Sequence, residues 1–498
     1  MNVNPITRLD YPDPDVIRVE DTYYMVSTTM HFMPGCEILQ SFDLVHWEHV
    51  TYVYETLDHT DAQQLKSGQN IYGQGMWAAS LRYHEGRFCI CFVANDTRKT
   101  YLYTSEKIDG PWKKQLIEGF YHDGSLLFDE DGRNYIVYGN DEIWITELNE
   151  DLTAPKKDGL HRLLVSDHKN PELGYEGSHI QKINGYYYIF LIHSLRDRWM
   201  RTEACFYSDS LEGEFTGGDV LCDDRGYCGQ GVAQGGIVDT PDGKWYAMLF
   251  QDSGAVGRLP ILLPVTWKDH FPFFGQNGHV PEEIEVHSTR PGYIYQPLVG
   301  SDDFCNGLLP RWQFNHDPDP RYYHLDALQG TYTITTREVC TELTQAVNTL
   351  TQRMSYPSCA AEVTVDASAL KEGDVAGLCA LQSCYAAVGI TKHHGKYEVL
   401  MLDKKEDGIL DMTEGTVVES HQMDFRLEAD FCNMKDEARC YYRVNKGDWL
   451  PIGTVHKLYF KLDHFTGCRF GLFCYAAEET GGSACFRDFK YYDVDEIS

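Results

Sequence analysis

Three carboxylates sit in settings that suit proton transfer. Glu176 lies in Gly174-Tyr175-Glu176-Gly177-Ser178-His179-Ile180, between small and aromatic residues, just ahead of the strand-like run Tyr186-Tyr187-Tyr188-Ile189-Phe190. Such surroundings can raise a carboxyl pKa, as a general acid working near neutral pH requires. Asp13 in Tyr11-Pro12-Asp13-Pro14-Asp15 and Asp123 in Tyr121-His122-Asp123-Gly124-Ser125 stand in similarly tight contexts. Each has a plainer reading. Asp13 could cap a turn before Pro14, with Asp15 as its rival for any chemistry; Asp123 could close an Asx turn at Gly124; Glu176 could simply open a strand. Their spacing argues for more. Asp13 precedes Asp21, Asp123 precedes Asp131 and Glu176 precedes Asn184, each by eight residues, and each of those later residues belongs to a hairpin turn.

Those turns recur along the first half of the chain. Glu20-Asp21, Glu85-Gly86, Asp131-Gly132, Asn184-Gly185 and Asp242-Gly243 each run directly into an aromatic-rich strand, at intervals of 46 to 65 residues. Asx-Gly or Glu-Gly ahead of alternating strand residues is a hairpin signature, because the turn needs positive φ. Similar tails close the units, as in Ser41-Phe42-Asp43-Leu44-Val45-His46-Trp47 and Ser208-Asp209-Ser210-Leu211-Glu212-Gly213-Glu214-Phe215. Self-similarity at this period in an all-β pattern predicts a five-bladed β-propeller. The inner strands of a propeller line one channel, so equal offsets bring Asp13, Asp123 and Glu176 to matching places around one funnel.

After Trp267 the pattern changes. Phe271-Pro272-Phe273-Phe274-Gly275 and Ser288-Thr289-Arg290-Pro291-Gly292 read as a linker. Short strands such as Leu378-Cys379-Ala380-Leu381-Gln382 and the alternating Ala484–Tyr491 follow, with no carboxylate in a comparable setting. The chain is therefore expected to be all-β: a five-bladed propeller over residues 1–290, followed by a concanavalin-like or jelly-roll-like β-sandwich over 291–498.

Composition narrows the function. Among 498 residues, aromatics make up 13%, with 33 Tyr and 9 Trp, which suits strand cores and also stacking on sugar rings. A net charge of −32 repels phosphate backbones and anionic lipid, so nucleic acid and membrane are poor partners. No apolar run is long enough to span a bilayer, and Met1–Ile6 has neither the basic nor the apolar part of a secretory signal. The 16 cysteines include no CxxC pair and are expected as reduced thiols in a cytoplasmic protein.

At these motifs the chain resembles glycoside hydrolase family 43. The residues that carry the resemblance are Pro12-Asp13-Pro14, Trp77-Ala78-Ala79-Ser80, His122-Asp123-Gly124-Ser125, Glu176-Gly177-Ser178-His179 and Asp239-Thr240-Pro241-Asp242-Gly243-Lys244-Trp245-Tyr246. The C-terminal part looks like the sandwich appended in the β-xylosidase and α-L-arabinofuranosidase branches. The resemblance implies inverting hydrolysis of a glycosidic bond, with Asp13 as general base, Glu176 as general acid, and Asp123 orienting Glu176 and holding its pKa up. Inversion needs base and acid roughly 6.5–9.5 Å apart, leaving room for a water.

The resemblance also places Trp77 and Phe32, otherwise core residues, on the walls of a sugar pocket. It gives Arg258 to the sugar hydroxyls, and Glu37, just beyond the Phe32 loop, joins them as a further sugar contact. Where many family members carry a channel histidine this chain has Gln234, which suits substrate, water or a hard cation. A structural Ca²⁺ or Na⁺ at Gln234, or in the sandwich at Asp302 and Asp488, is compatible with the sequence; no cofactor is required for the chemistry, and an oligomer is equally compatible. The implied activity is exo-release of terminal α-L-arabinofuranosyl residues from imported arabinoxylan oligosaccharides. The alternatives are a β-xylosidase, or an enzyme with both activities, on xylo-oligosaccharides; a retaining fructan- or sucrose-acting propeller; and a non-catalytic carbohydrate-binding propeller.

Overall fold

Glycine and asparagine turns set the local frame. Asn184 and Gly185, with φ of 51° and 86°, join Glu176–Ile183 to Tyr186–Ser194; Glu85 and Gly86, at 48° and 77°, do the same for Met76–His84 and Arg87–Ala94. Positive φ at both central residues gives the turn a twist that matches paired strands. In the computed structural model, which describes residues 3–413 and 415–493, these hairpins build five four-stranded antiparallel sheets. Their inner strands are Asp15–Val19, Met76–His84, Ser125–Phe128, Glu176–Ile183 and Val232–Asp239, and the last blade ends with Phe271–Phe274. These are the blades of a five-bladed propeller, as the repeat predicts.

The ring is closed by the N-terminal segment. Ile6 and Tyr11 donate their N–H groups to the carbonyls of Pro260 and Arg258 on blade five, and the Asn4 side chain exchanges two hydrogen bonds with Leu262. Beyond the propeller, a nine-stranded and a seven-stranded sheet pack face to face around a core that includes Trp312, Leu378, Phe425, Phe470 and Phe486. This is the sandwich. Its cysteines and those of the propeller are all free thiols among the described residues.

The two units share strands and side chains. Phe32–Met33, in the loop between the second and third strands of blade one, forms the edge strand of the nine-stranded sheet, paired with Gln313–Asn315. Phe32 is therefore fully buried among sandwich residues, under the Arg469 guanidinium at 3.4 Å from its ring centroid. That overturns its expected place on a sugar pocket. Glu37 is likewise withdrawn from any ligand. Arg353 of the sandwich donates to its Oε2 at 2.8 Å, and His49 and Tyr11 contact Oε1. Burial would raise the Glu37 carboxyl pKa, but Arg353 and His49 overcome it and hold the group down at about 2.

Candidate active site

The inner strands re-aim their first residues by backbone irregularity. Met76–His84, Glu176–Ile183 and Val232–Asp239 each carry a β-bulge at the same end, between Met76 and Ala79, Glu176 and His179, and Ala233 and Gly236. Bulges turn side chains out of the regular alternation. At that same end Asp13, Asp123 and Gln234 adopt left-handed backbone, with φ of 53°, 48° and 61°. Aspartate tolerates this region better than most residues, and such strain concentrates where a side chain must point a particular way. Gly177, at φ 64°, has no substitute: a Cβ there would lie 2.7 Å from the Gln234 side chain.

The outcome is one cluster at one mouth of the channel. Asp13 is buried; its Oδ1 accepts from Arg258 Nη1 at 3.0 Å and its Oδ2 from the Thr28 hydroxyl at 2.6 Å. Asp123, also buried, accepts the Gly177 N–H at 3.1 Å. That bond ties the Asp123 carboxylate to the residue after Glu176. Glu176 is half-buried, and its Oε2 accepts from Asn140 Nδ2 at 2.6 Å. His122, part of the His122-Asp123-Gly124-Ser125 motif but with no role expected from sequence, fills the space between. Its Nε2 lies 3.5 Å from Glu176 Oε2 and 3.6 Å from Asp123 Oδ2.

Electrostatics follow from this crowding. Burial pushes the Asp123 carboxyl up to about 6 against the pull of His122, and the negative charges of Glu176 and Asp13 push it the same way. His122 is raised to about 9, chiefly by Asp123, with Glu176 and Asp13 adding to the effect and burial opposing it. Asp123 thus feels both of the other carboxylates. Asp15, the rival to Asp13, is spent elsewhere. Although burial raises its pKa, ion pairs to Arg82 at 2.8 Å and His179 at 3.1 Å hold it below the usual carboxylate range.

Trp77 and Arg258 flank the cluster. The Trp77 ring lies 5.8 Å from the His122 ring, and its buried indole N–H has no acceptor. Arg258 keeps Nη1 on Asp13 while its buried Nε and Nη2 have no hydrogen-bond partner. These are donors available to sugar hydroxyls. The far wall comes from the sandwich, which no sequence pattern indicated. Phe465 stacks 4.3 Å over the Arg258 guanidinium and 5.7 Å from Trp77, with Phe460 and Phe250 completing an aromatic cage around Arg258. Asp10 fixes this wall: Oδ1 accepts the Arg258 N–H and Oδ2 the Gly467 N–H, at 2.7 and 2.8 Å.

The cation candidates separate. Gln234 sits buried against Gly177 beside the cluster, its N–H bonded to Glu203 at 2.7 Å. Asp302 and Asp488 line a distant cavity in the sandwich, where Asp302 Oδ1 accepts the Phe304 N–H and Oδ2 accepts the Trp312 indole N–H. N–H donors thus occupy one lone pair on each Asp302 oxygen. Among the described residues, the group of His, Cys, Asp or Glu side chains close enough to share an ion is His122, Asp123 and Glu176. In this group the imidazole stands between the two carboxylates.

A five-bladed propeller with clustered carboxylates at one channel mouth, walled by a sandwich, is an architecture suited to glycoside hydrolysis. The sequence agrees. The profile described as Glycosyl hydrolases family 43 matches residues 3–272, and that of the Beta xylosidase C-terminal Concanavalin A-like domain matches 301–492. The chain belongs to glycosyl hydrolase family 43. It is similar to a β-xylosidase of Formosa agariphila, 26% identical over 99% of this chain and 89% of that protein, and to a xylosidase/arabinosidase of Butyrivibrio fibrisolvens, 23% identical over 99% of both. The solved structure of a bifunctional GH43-CE protein of Bacteroides eggerthii superposes with a TM-score of 0.92 at 42% identity. The match covers 98% of this chain and 63% of that longer one.

Proposed function

We propose that the protein is an inverting exo-glycosidase that removes a terminal pentose from xylan-derived oligosaccharides. The observation that carries this is the convergence of Asp13, Asp123 and Glu176 on one channel mouth closed on its far side by Phe465. A mouth walled on one side suits a chain end better than a chain running through. Asp13 takes the proton from the attacking water, held in place by Arg258 and Thr28. Glu176 protonates the departing oxygen, with Asn140 and His122 fixing Oε2. Asp123 acts through the Gly177 N–H and His122, orienting the acid rather than touching the sugar.

For the natural substrate we assign α-L-arabinofuranosyl residues on arabinoxylan fragments. The chain's similarity to a non-reducing end alpha-L-arabinofuranosidase of Bacteroides ovatus, 24% identical over 82% of this chain, supports this. Release of β-xylosyl residues is the second reading, favoured by the sandwich's match to a β-xylosidase C-terminal domain. Product analysis on an arabinoxylan oligosaccharide mixture, resolving arabinose from xylose, separates the two, with Asp13→Asn run alongside. Arabinose that disappears in the variant supports the first reading; xylose replaces it with the second; no pentose from the wild type overturns both.

A further inference from the structure

One turn below the three carboxylates, the inner strands are joined side chain to side chain. Asp15, two residues after Asp13, has Oδ1 3.1 Å from His179 Nδ1 and accepts on Oδ2 from the Leu81 N–H at 2.7 Å and Arg82 Nη1 at 2.8 Å. Arg82 spends its whole guanidinium on this junction. Besides Asp15, Nη1 reaches the Leu81 carbonyl; Nη2 reaches the Ser125 hydroxyl at 2.7 Å and the Ile180 carbonyl; Nε reaches the Leu126 carbonyl at 2.8 Å. The Ser125 hydroxyl in turn accepts the Ile180 N–H at 3.0 Å. The ring continues outward: Gln181 Nε2 donates to Ile237 of blade five, and Arg18 of blade one pairs with Asp239 of blade five. All five inner strands are linked.

The register of this belt is what matters. Asp15 stands two residues after Asp13, Ser125 two after Asp123, and His179 three after Glu176 across the bulge. Arg82 therefore couples the strands that carry all three carboxylates. A planar group with five donors can bridge three strands at fixed geometry; an ammonium cannot.

We infer that Asp15, Arg82, Ser125 and His179 form a positioning belt that sets the separation between the Asp13 and Glu176 carboxyl groups and hence the room for the attacking water. This rests on the roles of Asp13 and Glu176 proposed above. None of the four touches substrate; each acts through the strand that bears a carboxylate. The rival role is a plain fold staple, which would affect stability alone. Displacements on the order of 1 Å in a catalytic pair cost about 100-fold in rate without weakening substrate binding comparably.

The structure supplies the means of telling the two apart. Arg82 lines a cavity of about 400 Å³ at the opposite mouth of the channel, flanked by Arg18, Phe128, Lys182 and Trp245. Small guanidinium ions can enter there. The test is Arg82→Ala, assayed on whichever 4-nitrophenyl pentoside the wild type hydrolyses, at a temperature where the variant is folded by circular dichroism. The expected result is a kcat loss of roughly 30- to 100-fold with KM within about 3-fold, and recovery of at least a third of the loss on a logarithmic scale with millimolar methylguanidinium. Wild-type kcat with only a lower Tm, or a loss confined to KM, or no response to methylguanidinium, overturns the inference. Should Arg82→Ala not fold, Ser125→Ala carries the test, with an expected kcat loss of about 3- to 10-fold at unchanged KM; unchanged kcat overturns it. Asp13→Asn in the same assay keeps the two proposals apart. An inert Asp13→Asn beside unaffected belt variants refutes the belt alone, and an active Asp13→Asn refutes the catalytic assignment beneath it.

Discussion

His122 Nε2 lies 3.5 Å from Glu176 Oε2 and 3.6 Å from Asp123 Oδ2, so one imidazole answers two carboxylates. Without it, three acidic groups would crowd a buried site with a single arginine, Arg258, in direct contact with one of them. With it, Asp123 ionises near pH 6 and the imidazole keeps its proton to about pH 9.

This pairing has a stability signature. The His122 pKa is raised from 6.5 unfolded to about 9 folded. Its contribution is therefore complete below pH 6.5 and is lost as pH climbs towards 9, amounting to about 3 kcal/mol. Asp123 works the other way: its raised value introduces a cost between about pH 4 and 6 that stays constant above. Between pH 6.5 and 9 His122 thus dominates. Melting curves across this range should show falling stability in the wild type, and His122→Gln should be less stable than the wild type at pH 6.5. A wild-type profile that is flat over the same range would contradict the pairing.

Phe465 makes the sandwich part of the site. Phe465→Ala removes the stack on Arg258 and the contact with Trp77. A cation–π contact of this kind is worth about 0.5–2 kcal/mol. The expected effect is a kcat/KM lower by about 10-fold, carried largely by KM, with Tm nearly unchanged, since the residue packs on the pocket side of its loop. Steady-state kinetics with a melting curve checks both halves.

Glu37 separates a sugar contact from a structural one. As a ligand residue its loss would raise KM; as the partner of Arg353 its loss leaves a buried charge alone. Glu37→Gln should therefore destabilise the folded chain by about 3–5 kcal/mol in a urea titration at pH 7 while KM stays at the wild-type value. The native Glu37 pKa is depressed to about 2, so this stabilisation is present above about pH 4.5 and fades as pH falls towards 2.

The propeller and the carboxylate cluster were legible because both are written locally. Turn residues at Asn184-Gly185 or Glu85-Gly86 fix the hairpins, and an equal offset before each turn gives matching places in successive blades. Phe32 and Glu37 were misread because their partners lie far along the chain, at Asn315 and Arg353. Short-range periodicity does not report which loop a second domain annexes. Phe465 left no trace for the same reason: it stands in irregular backbone, and its role exists only once Asp10 has tied Gly467 to Arg258. His122 was readable in principle, since a histidine adjacent to a buried aspartate is a chemical signal in itself. Arg82 was not, because nothing in Leu81-Arg82-Tyr83 distinguishes an axial guanidinium from a surface one.

The most direct test of the account is the leaving-group dependence of Glu176→Gln. If Glu176 protonates the departing oxygen, the variant should lose about 1,000-fold or more in kcat on a natural pentosyl oligosaccharide but less than about 10-fold on a 2,4-dinitrophenyl pentoside, whose leaving group needs no proton. Equal losses on both substrates, or near-normal turnover of the oligosaccharide, would contradict the assignment of Glu176 and with it the mechanism built on this site.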